Sequence, residues 1–273
     1  MSGALRLQAL SLPVEDLEAT SRFYRWSFRM EPVQDADSVE RAVLGWGAGE
    51  DRLQLRPERV AEEGEALALR MPAMAFEDAV RWCREREMDV EGACVSPDDL
   101  EAAAALLPAV PLRALEDARA ANLSVLRVRG PGGGRLDLVF PLPAEVVVGR
   151  GLLERFWWRS GDWSGLETPG LLGVTWGSPH AGESRRLFER LGLAPLDRGD
   201  DSSPLRVGDQ QVVVEERERE GVHAFALVLP LARLAEVKRA LEHLRAPVRE
   251  AGNRLLTRDP DGRPVLVHGA RGG

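Results

Sequence analysis

The side chains able to do chemistry in this 273-residue chain are few and unevenly placed. There are four histidines, His180, His223, His243 and His268, and two cysteines, Cys83 and Cys94. His223 and His268 fall in apolar, strand-like tracts, where an imidazole can act as a general base or hydrogen-bond partner near neutral pH. His180 lies at a helix start and His243 on a helix, and both read as surface residues. The cysteines lack CxxC spacing and read as small buried residues in a reducing compartment. No HExxH, GxSxG, Walker or zinc-ribbon pattern is present. Gly132, Gly133 and Gly134 open no helix, so they form no phosphate loop. Cationic chemistry falls to arginine, because Lys238 is the only lysine among 36 basic residues. Guanidinium pairs bidentately with carboxylate or phosphate, so a cluster of arginines would suit an anionic ligand.

Composition narrows the classes. Net charge is −8 and 44% of residues are apolar. An acidic chain lacks the basic surface that grips a phosphate backbone, so no nucleic-acid partner is expected. The longest uncharged apolar tract, Ala102 to Leu112, is too short to span a bilayer and contains two prolines, so no membrane partner is expected. No signal-peptide pattern opens the chain. These features predict a soluble cytoplasmic protein of one large domain or two ordinary ones.

The elements that must position those side chains repeat. An alternating strand from Leu5 to Leu12 is followed by a helix capped by Asp16, with Leu17, Phe23 and Tyr24 on its apolar face. Short strands follow near Phe28–Val33, Arg41–Trp46 and Asp51–Arg56. A second unit opens with the strand "EALALRM", and its helix carries Phe76, Ala79, Val80 and Cys83 as one stripe. It includes a helical insertion at about 97–119 and closes as a hairpin across "GPGGG". A third unit opens with "LLGVTWGS" and has a helix bearing Leu187, Phe188 and Leu191, with Gly192 at C′. A fourth opens with "VHAFALVL", followed by a helix with Leu234, Val237, Leu241 and Leu244 and by three strands. The order is β-α-β-β-β four times, an internal repeat. It places a first domain at 1–145, a linker at 146–169 and a second domain at 170–273. Trp157, Trp158 and Trp163 in the linker read as a lid or an interdomain plug.

This organisation resembles the vicinal oxygen chelate superfamily of glyoxalases, bleomycin-resistance proteins and extradiol dioxygenases. "LQALSLPVEDLEATSRFY" looks like that family's opening strand and helix, and "RDPDGRPVLV" like its terminal phrase. The resemblance implies an α+β fold: four βαβββ modules forming two domains, each a curved eight-stranded sheet with flanking helices around a cavity. In the family a divalent metal often sits there, held by a His from the first strand of a module and a Glu from the last. Carried onto this chain, those positions fall on Ala9, Ala66, Gln54 and Asp137 in the first domain. In the second they fall on Gly173, His223, Val213 and Leu266. Neither set reaches the three protein ligands that a firmly held ion needs, so no metal is expected.

Strand parity then gives two cavity linings. The first domain presents Ser11, Arg52, Gln54, Arg56, Arg70, Arg135 and Asp137, a set suited to an anion or to facing solvent. The second presents Thr175, His223, Phe225, Leu227, Leu266 and His268, a mostly apolar set with two imidazoles. The leading expectation is a small-molecule ligand in a sheet-lined cavity, with no cofactor and with His223 as the one candidate catalytic group. One alternative is a metal-dependent lyase, isomerase or ring-cleaving dioxygenase using Fe, Mn, Zn or Ni, with His223 joined by an oxygen donor such as Glu215. Another is a non-catalytic scaffold with filled cavities. Monomer and homodimer both stay open.

Overall fold

The computed structural model describes residues 5–32, 42–45, 51–57, 65–114, 123–141, 170–197 and 203–270. The tryptophans Trp157, Trp158 and Trp163 lie outside the described residues, as does the whole expected linker.

The first half runs β1 (Arg6–Val14), α1 (Leu17–Phe28), β2 (Glu31–Pro32), β3 (Ala42–Gly45), β4 (Arg52–Pro57), β5 (Ala66–Arg70) and α2 (Phe76–Glu85). It continues with β6 (Val90–Val95), α3 (Leu100–Leu106), β7 (Leu112–Ala114), β8 (Leu123–Arg129) and β9 (Arg135–Pro141). The second half runs β10 (Gly170–Ser178), α4 (Ala181–Arg190), β11 (Ala194–Pro195), β12 (Leu205–Val207), β13 (Gln210–Glu216) and β14 (Gly221–Pro230). It ends with α5 (Leu234–His243), β15 (Val248–Ala251), β16 (Arg254–Arg258) and β17 (Pro264–Ala270). Each half is thus two βαβββ modules, the second module of the first half being enlarged. Asp16 caps α1 as its short side chain predicts, its carboxylate accepting from Ala19 N at 2.9 Å. Phe28 belongs to α1 rather than to a strand. Arg29 closes the helix in the left-handed conformation, and the strand starts only at Glu31.

The modules pair through their opening strands. One sheet has the order β2-β3-β4-β1-β5-β9-β8-β6-β7 and the other β11-β12-β13-β10-β14-β17-β16-β15. The first therefore has nine strands instead of the expected eight. The insertion after β6 supplies α3 and then β7, which pairs parallel to β6 and covers an edge that would otherwise stay open.

The helix-side faces of both sheets share one core. Leu10, Leu12, Phe23, Tyr24 and Phe28 of the first half pack in the same cluster as Leu171, Val174, Trp176, Phe225 and Leu227 of the second. Tyr24 and Phe225 stack with ring centroids 6.1 Å apart.

The joint between the halves has a twofold character. β1 and β10 both break register at a leucine, Leu7 and Leu171. A bulge frees backbone groups from the ladder, and these must find other partners. Leu7 N donates to Gln210 Oε1 at 2.7 Å, and Leu171 N donates to Asp51 Oδ2 at 2.6 Å. Each acceptor comes from the opposite half, from the residue level with the start of β13 or β4. Gln210 also donates from Nε2 to the carbonyls of Leu7 and Leu171. Asp51 has no proton to give and pairs with Arg6 instead.

Candidate functional site

The faces turned away from the helices are where a ligand or metal would sit, and the register reads their residues row by row. In the first sheet one row across β4, β1, β5 and β9 is Arg52, Ala9, Ala68 and Asp137. The next is Gln54, Ser11, Ala66 and Arg135. In the second sheet one row across β13, β10, β14 and β17 is Gln211, Gly173, Ala226 and Leu266. The next holds Val213, Thr175 and Ala224.

These rows do not fit a divalent ion. Three of the four carry no carboxylate, imidazole or thiolate. The fourth carries Asp137, which accepts from Arg127 Nε and Arg135 Nη2, both at 3.1 Å. Two guanidiniums on one carboxylate compete directly with a cation. Among the described residues no three His, Cys, Asp or Glu side chains gather to hold a metal.

The two helix-free faces differ in access. In the first half Ala9, Ser11, Arg52, Gln54, Ala66, Ala68 and Asp137 are all buried. Ala9 and Ala68 pack with Leu123, Val125 and Val139 in a small apolar cluster of their own. Arg135 is nearly buried as well, and Arg70 pairs across the ladder with Arg6. Arg52, Gln54, Arg135 and Asp137 of the expected set thus lie on one face, and Asp137 sits between one member, Arg135, and Arg127, which the sequence did not single out. In the second half Thr175, Val213, Ala224, Ala226, Leu266 and His268 are only half-buried, and Leu256 is 44% exposed. This face is open.

Strand parity misplaces two of the expected cavity residues, Phe225 and Leu227, and the reason is physical. β14 shifts register between Trp176↔Val222 and Thr175↔Ala224, so a bulge falls on His223. Past a bulge every side chain changes face. Phe225 and Leu227 therefore point into the core, not into the cavity, while Ala224 and Ala226 take the open face. This corrects the expected placement of Phe225 among the ligand-binding residues: it packs on Tyr24 instead.

The bulge sets His223 at the head of the strand. Its ring lies across Gly177, where a Cβ would collide with the imidazole. Nε2 lies 3.1 Å from the carbonyl of Arg219. A carbonyl only accepts, so Nε2 carries the proton and Nδ1 is left as the basic nitrogen. His268 does not share this site. It lies five residues further along β17 than the level of His223, about 16 Å away at ~3.3 Å per residue.

Around His223 the surface opens into two adjoining pockets. One, of about 540 Å³, is lined by Glu65, Thr175, Glu215, Arg217, His223, Ala224, Arg258 and Arg263, among others. The other, of about 660 Å³, lies against Pro179, Arg217, Arg219 and His223. Both volumes suit a small molecule. Arg217 Nη2 pairs with Glu215 Oε2 at 2.6 Å. Arg258 Nη1 donates to Gly262 O at 2.6 Å. Glu65 comes from the first half, where it immediately precedes β5. Burial pushes its carboxyl above the usual range, against the opposing pull of Arg263, 3.3 Å away, and of His223.

The structure brings Thr175 and His223 to one pocket, and joins to them Glu65, Arg217, Arg258 and Arg263, which the sequence did not single out as site residues. Arg217 follows directly on β13, while Arg258, the last residue of β16, and Arg263 flank the turn into β17. A pattern of alternation does not specify where such side chains reach. One signal was available. Glu65 precedes β5 as Glu220 precedes β14, so the repeat marks both as residues of the joint.

No protein-family model matches this chain, and no curated protein matches it in sequence. Solved structures do match it in shape. A catechol 2,3-dioxygenase structure aligns with TM-score 0.62 and 15% identity over 99% of this chain and 89% of its own. A Mn(II)-bound glyoxalase from Novosphingobium aromaticivorans aligns with TM-score 0.65 and 16% identity over 98% of this chain and 83% of its own. Homoprotocatechuate 2,3-dioxygenase from Brevibacterium fuscum, in complex with 3,4-dihydroxyphenylacetate, aligns with TM-score 0.62 and 14% identity over 99% and 81%. The chain shares the fold of these dioxygenases and of this glyoxalase. Because these alignments span both halves, the four-module arrangement is shared and not merely the single module. At such identities the likeness speaks for the fold alone. Among the described residues no helix is long and apolar enough to cross a membrane.

Proposed function

We propose that this chain binds a small organic molecule at the open, helix-free face of its second half, without a metal ion. The supporting observation is that the rows where relatives of this fold would carry ligands hold Gly173, Thr175, Val213, Ala226 and Leu266, while a pocket of about 540 Å³ opens beside them at His223. Thr175, Ala224 and Pro264 offer a small, partly apolar floor. His223 offers a basic Nδ1 at its edge, and the arginines offer anchoring charge. In this reading His223 orients the ligand by accepting a hydrogen bond, and it is placed to act as a base if a reaction follows. The site is an aqueous one, reached by a ligand free in solution, with no nucleic acid or membrane as partner.

The test is a thermal-shift and NMR screen of small organic acids, alcohols and heterocycles against the full chain and Ala224→Trp. The indole fills the pocket from a half-exposed position and spares the core. Ligands that shift the wild type should lose at least tenfold in affinity in the variant. Hits that bind both proteins equally, or that map to the first half, would refute the placement.

A further inference from the structure

The two glutamates that precede β5 and β14, Glu65 and Glu220, stand at equivalent points of the repeat and each reaches across to the other half. Their surroundings are not equivalent. Glu220 Oε2 accepts from Gly132 N and Gly134 N, both at 2.7 Å. Its Oε1 takes Trp176 Nε1 at 3.2 Å and Ser184 Oγ at 2.5 Å. All its lone pairs are occupied by the joint. Glu65 meets a turn that already contains its own acid, because Asp259 accepts from Arg263 N at 2.8 Å and from Arg263 Nη1 at 3.0 Å. It is left with Arg263 Nη2 and the Val222 amide, and it faces the pocket.

We propose that the pocket beside His223 is a carboxylate-binding site built by both halves, in which Arg258 and Arg217 hold the ligand's carboxylate and Glu65 takes up a proton as it binds. This rests on the ligand reading given above and adds the ligand's chemical class and a role for the first half. Arg258 uses one Nη1 proton on Gly262 O, which leaves the edge of its guanidinium formed by Nε and Nη2 for a carboxylate. Among the described residues Arg217 is ion-paired with the half-exposed Glu215 alone, a partner that an incoming carboxylate can displace at small cost.

The proton follows from the groups around Glu65. Arg263, Asp259 and Asp261 face it from the turn before β17, and His223 with the Val222 amide from β14. Glu215 and Arg217 face it from the end of β13, and Arg258 from the end of β16. Arg263 is shared with Asp259, so Glu65 has only part of one guanidinium, with His223 and the Val222 amide, to offset its burial, and burial still prevails. A second carboxylate brought into the same pocket is a like charge, and like charge favours the protonated acid. The balance is simple: the ligand enters as an anion, one solvent proton adds to a Glu65 carboxylate oxygen, and no bond to carbon changes.

The experiment is isothermal titration calorimetry of the full chain with benzoate and with succinate, in HEPES and in Tris, from pH 6 to 8. The two buffers differ in ionisation enthalpy, so the difference in apparent heat reports protons taken up. Binding of either probe with uptake of up to one proton, weakening by up to about tenfold per pH unit as pH rises, is the expected result. Glu65→Gln should bind at least as well at pH 8 and lose the uptake. Arg258→Gln should lose about tenfold in affinity with uptake per bound ligand unchanged. Uptake that persists in Glu65→Gln overturns the role of Glu65 and leaves the ligand reading standing. A wild type that binds other small molecules but neither carboxylate overturns the ligand class alone. Failure to bind any small molecule overturns both.

Discussion

Two turns of one shape lead into the last strand of each half, and each receives a carboxylate from a different source. In 130–134, Gly130 N donates to Gly134 O and Gly133 N to Gly130 O. In 259–263, Asp259 N donates to Arg263 O and Gly262 N to Asp259 O, the same two bonds. Gly133 and Gly262 both have positive φ, 93° and 79°, where a side chain is strained. The helices opposite them match as well. Thr20 and Ser184 are the fourth residues of α1 and α4, and Tyr24 and Phe188 the eighth. The glycine-rich turn borrows its acid: Glu220 crosses from the other half and binds the turn's amides and Ser184. The aspartate-rich turn carries its own acids. Asp259 takes Tyr24 Oη at 2.8 Å, and Asp261 takes Thr20 Oγ1 at 2.9 Å. The joint needs a carboxylate at each turn, and which half supplies it is interchangeable. Where the turn supplies its own, the glutamate across from it becomes available for the pocket.

The sharpest way to break this comparison is to remove the borrowed acid. Glu220→Ala strips an acceptor from two backbone amides, a serine and an indole, and should cost about 3 kcal/mol in urea unfolding. Adding Gly130→Asp places a carboxylate where the other turn has Asp259. A Cβ at 130 meets the Glu220 carboxylate in the native chain, so the aspartate fits only once Glu220 is gone. The double variant should recover more than half of the loss. Glu220→Ala at under 1 kcal/mol, or no recovery, would show that the turns are not equivalent.

The helix-free faces allow a second exchange. Asp137→Leu gives the first half the residue that Leu266 provides in the second. It leaves Arg127 and Arg135 without their carboxylate on a buried face, an expected loss of about 3 kcal/mol by thermal or urea unfolding. The reverse change, Leu266→Asp on the open face, should cost under about 1 kcal/mol because water still reaches it. Equal costs would mean that the two faces do not differ in access.

Tyr24→Phe makes α1 like α4, with Phe188 as its template. Burial and the Asp259 carboxylate keep the Tyr24 phenol protonated, with its pKa well above the usual value. Its loss removes one charge-assisted bond while Arg263 still pairs with Asp259. A drop of about 1.5 kcal/mol is expected from unfolding curves.

The smallest expected effect concerns the bulge staples. Burial raises the Asp51 carboxyl despite Arg6 and the Leu171 amide, whereas Gln210 at the matching point has no charge. A raised folded pKa means that the folded state holds its proton longer. Stability is therefore gained as pH falls through the carboxylate range and is lost as pH rises through the folded pKa. Asp51→Asn should flatten that slope, read as Tm against pH, while Gln210→Glu should steepen it. A slope unchanged by Asp51→Asn would remove Asp51 from this account.

Most of the fold was legible because hydrophobic period and repeat order agree. Asp16 announced its helix, and Val265 with Val267, or Leu136 with Leu138, announced which side of each last strand was core. The strand β7 was not legible: "LRA" is too short to have a period, and it forms only because β6 offers an edge. Phe225 was misplaced because a bulge shifts parity without any glycine or proline to mark it. Of the candidate site, His223 and Thr175 could be read, since they lie on strands. Glu65 could not, because its place depends on how the two halves dock; Arg217, Arg258 and Arg263 could not, because they lie at strand ends and in a turn, where alternation says nothing.

The central claim is that the second half keeps the fold's cavity while its rows of Gly173, Thr175, Val213, Ala226 and Leu266 hold no cation. It is tested most directly by titrating Fe(II), Mn(II), Zn(II) and Ni(II) into chelator-treated protein and measuring bound metal after desalting. The account predicts no stoichiometric retention and no rise in Tm with any of the four. One equivalent retained per chain, with a rise in Tm that is lost on mutating His223 or Glu215, would contradict it.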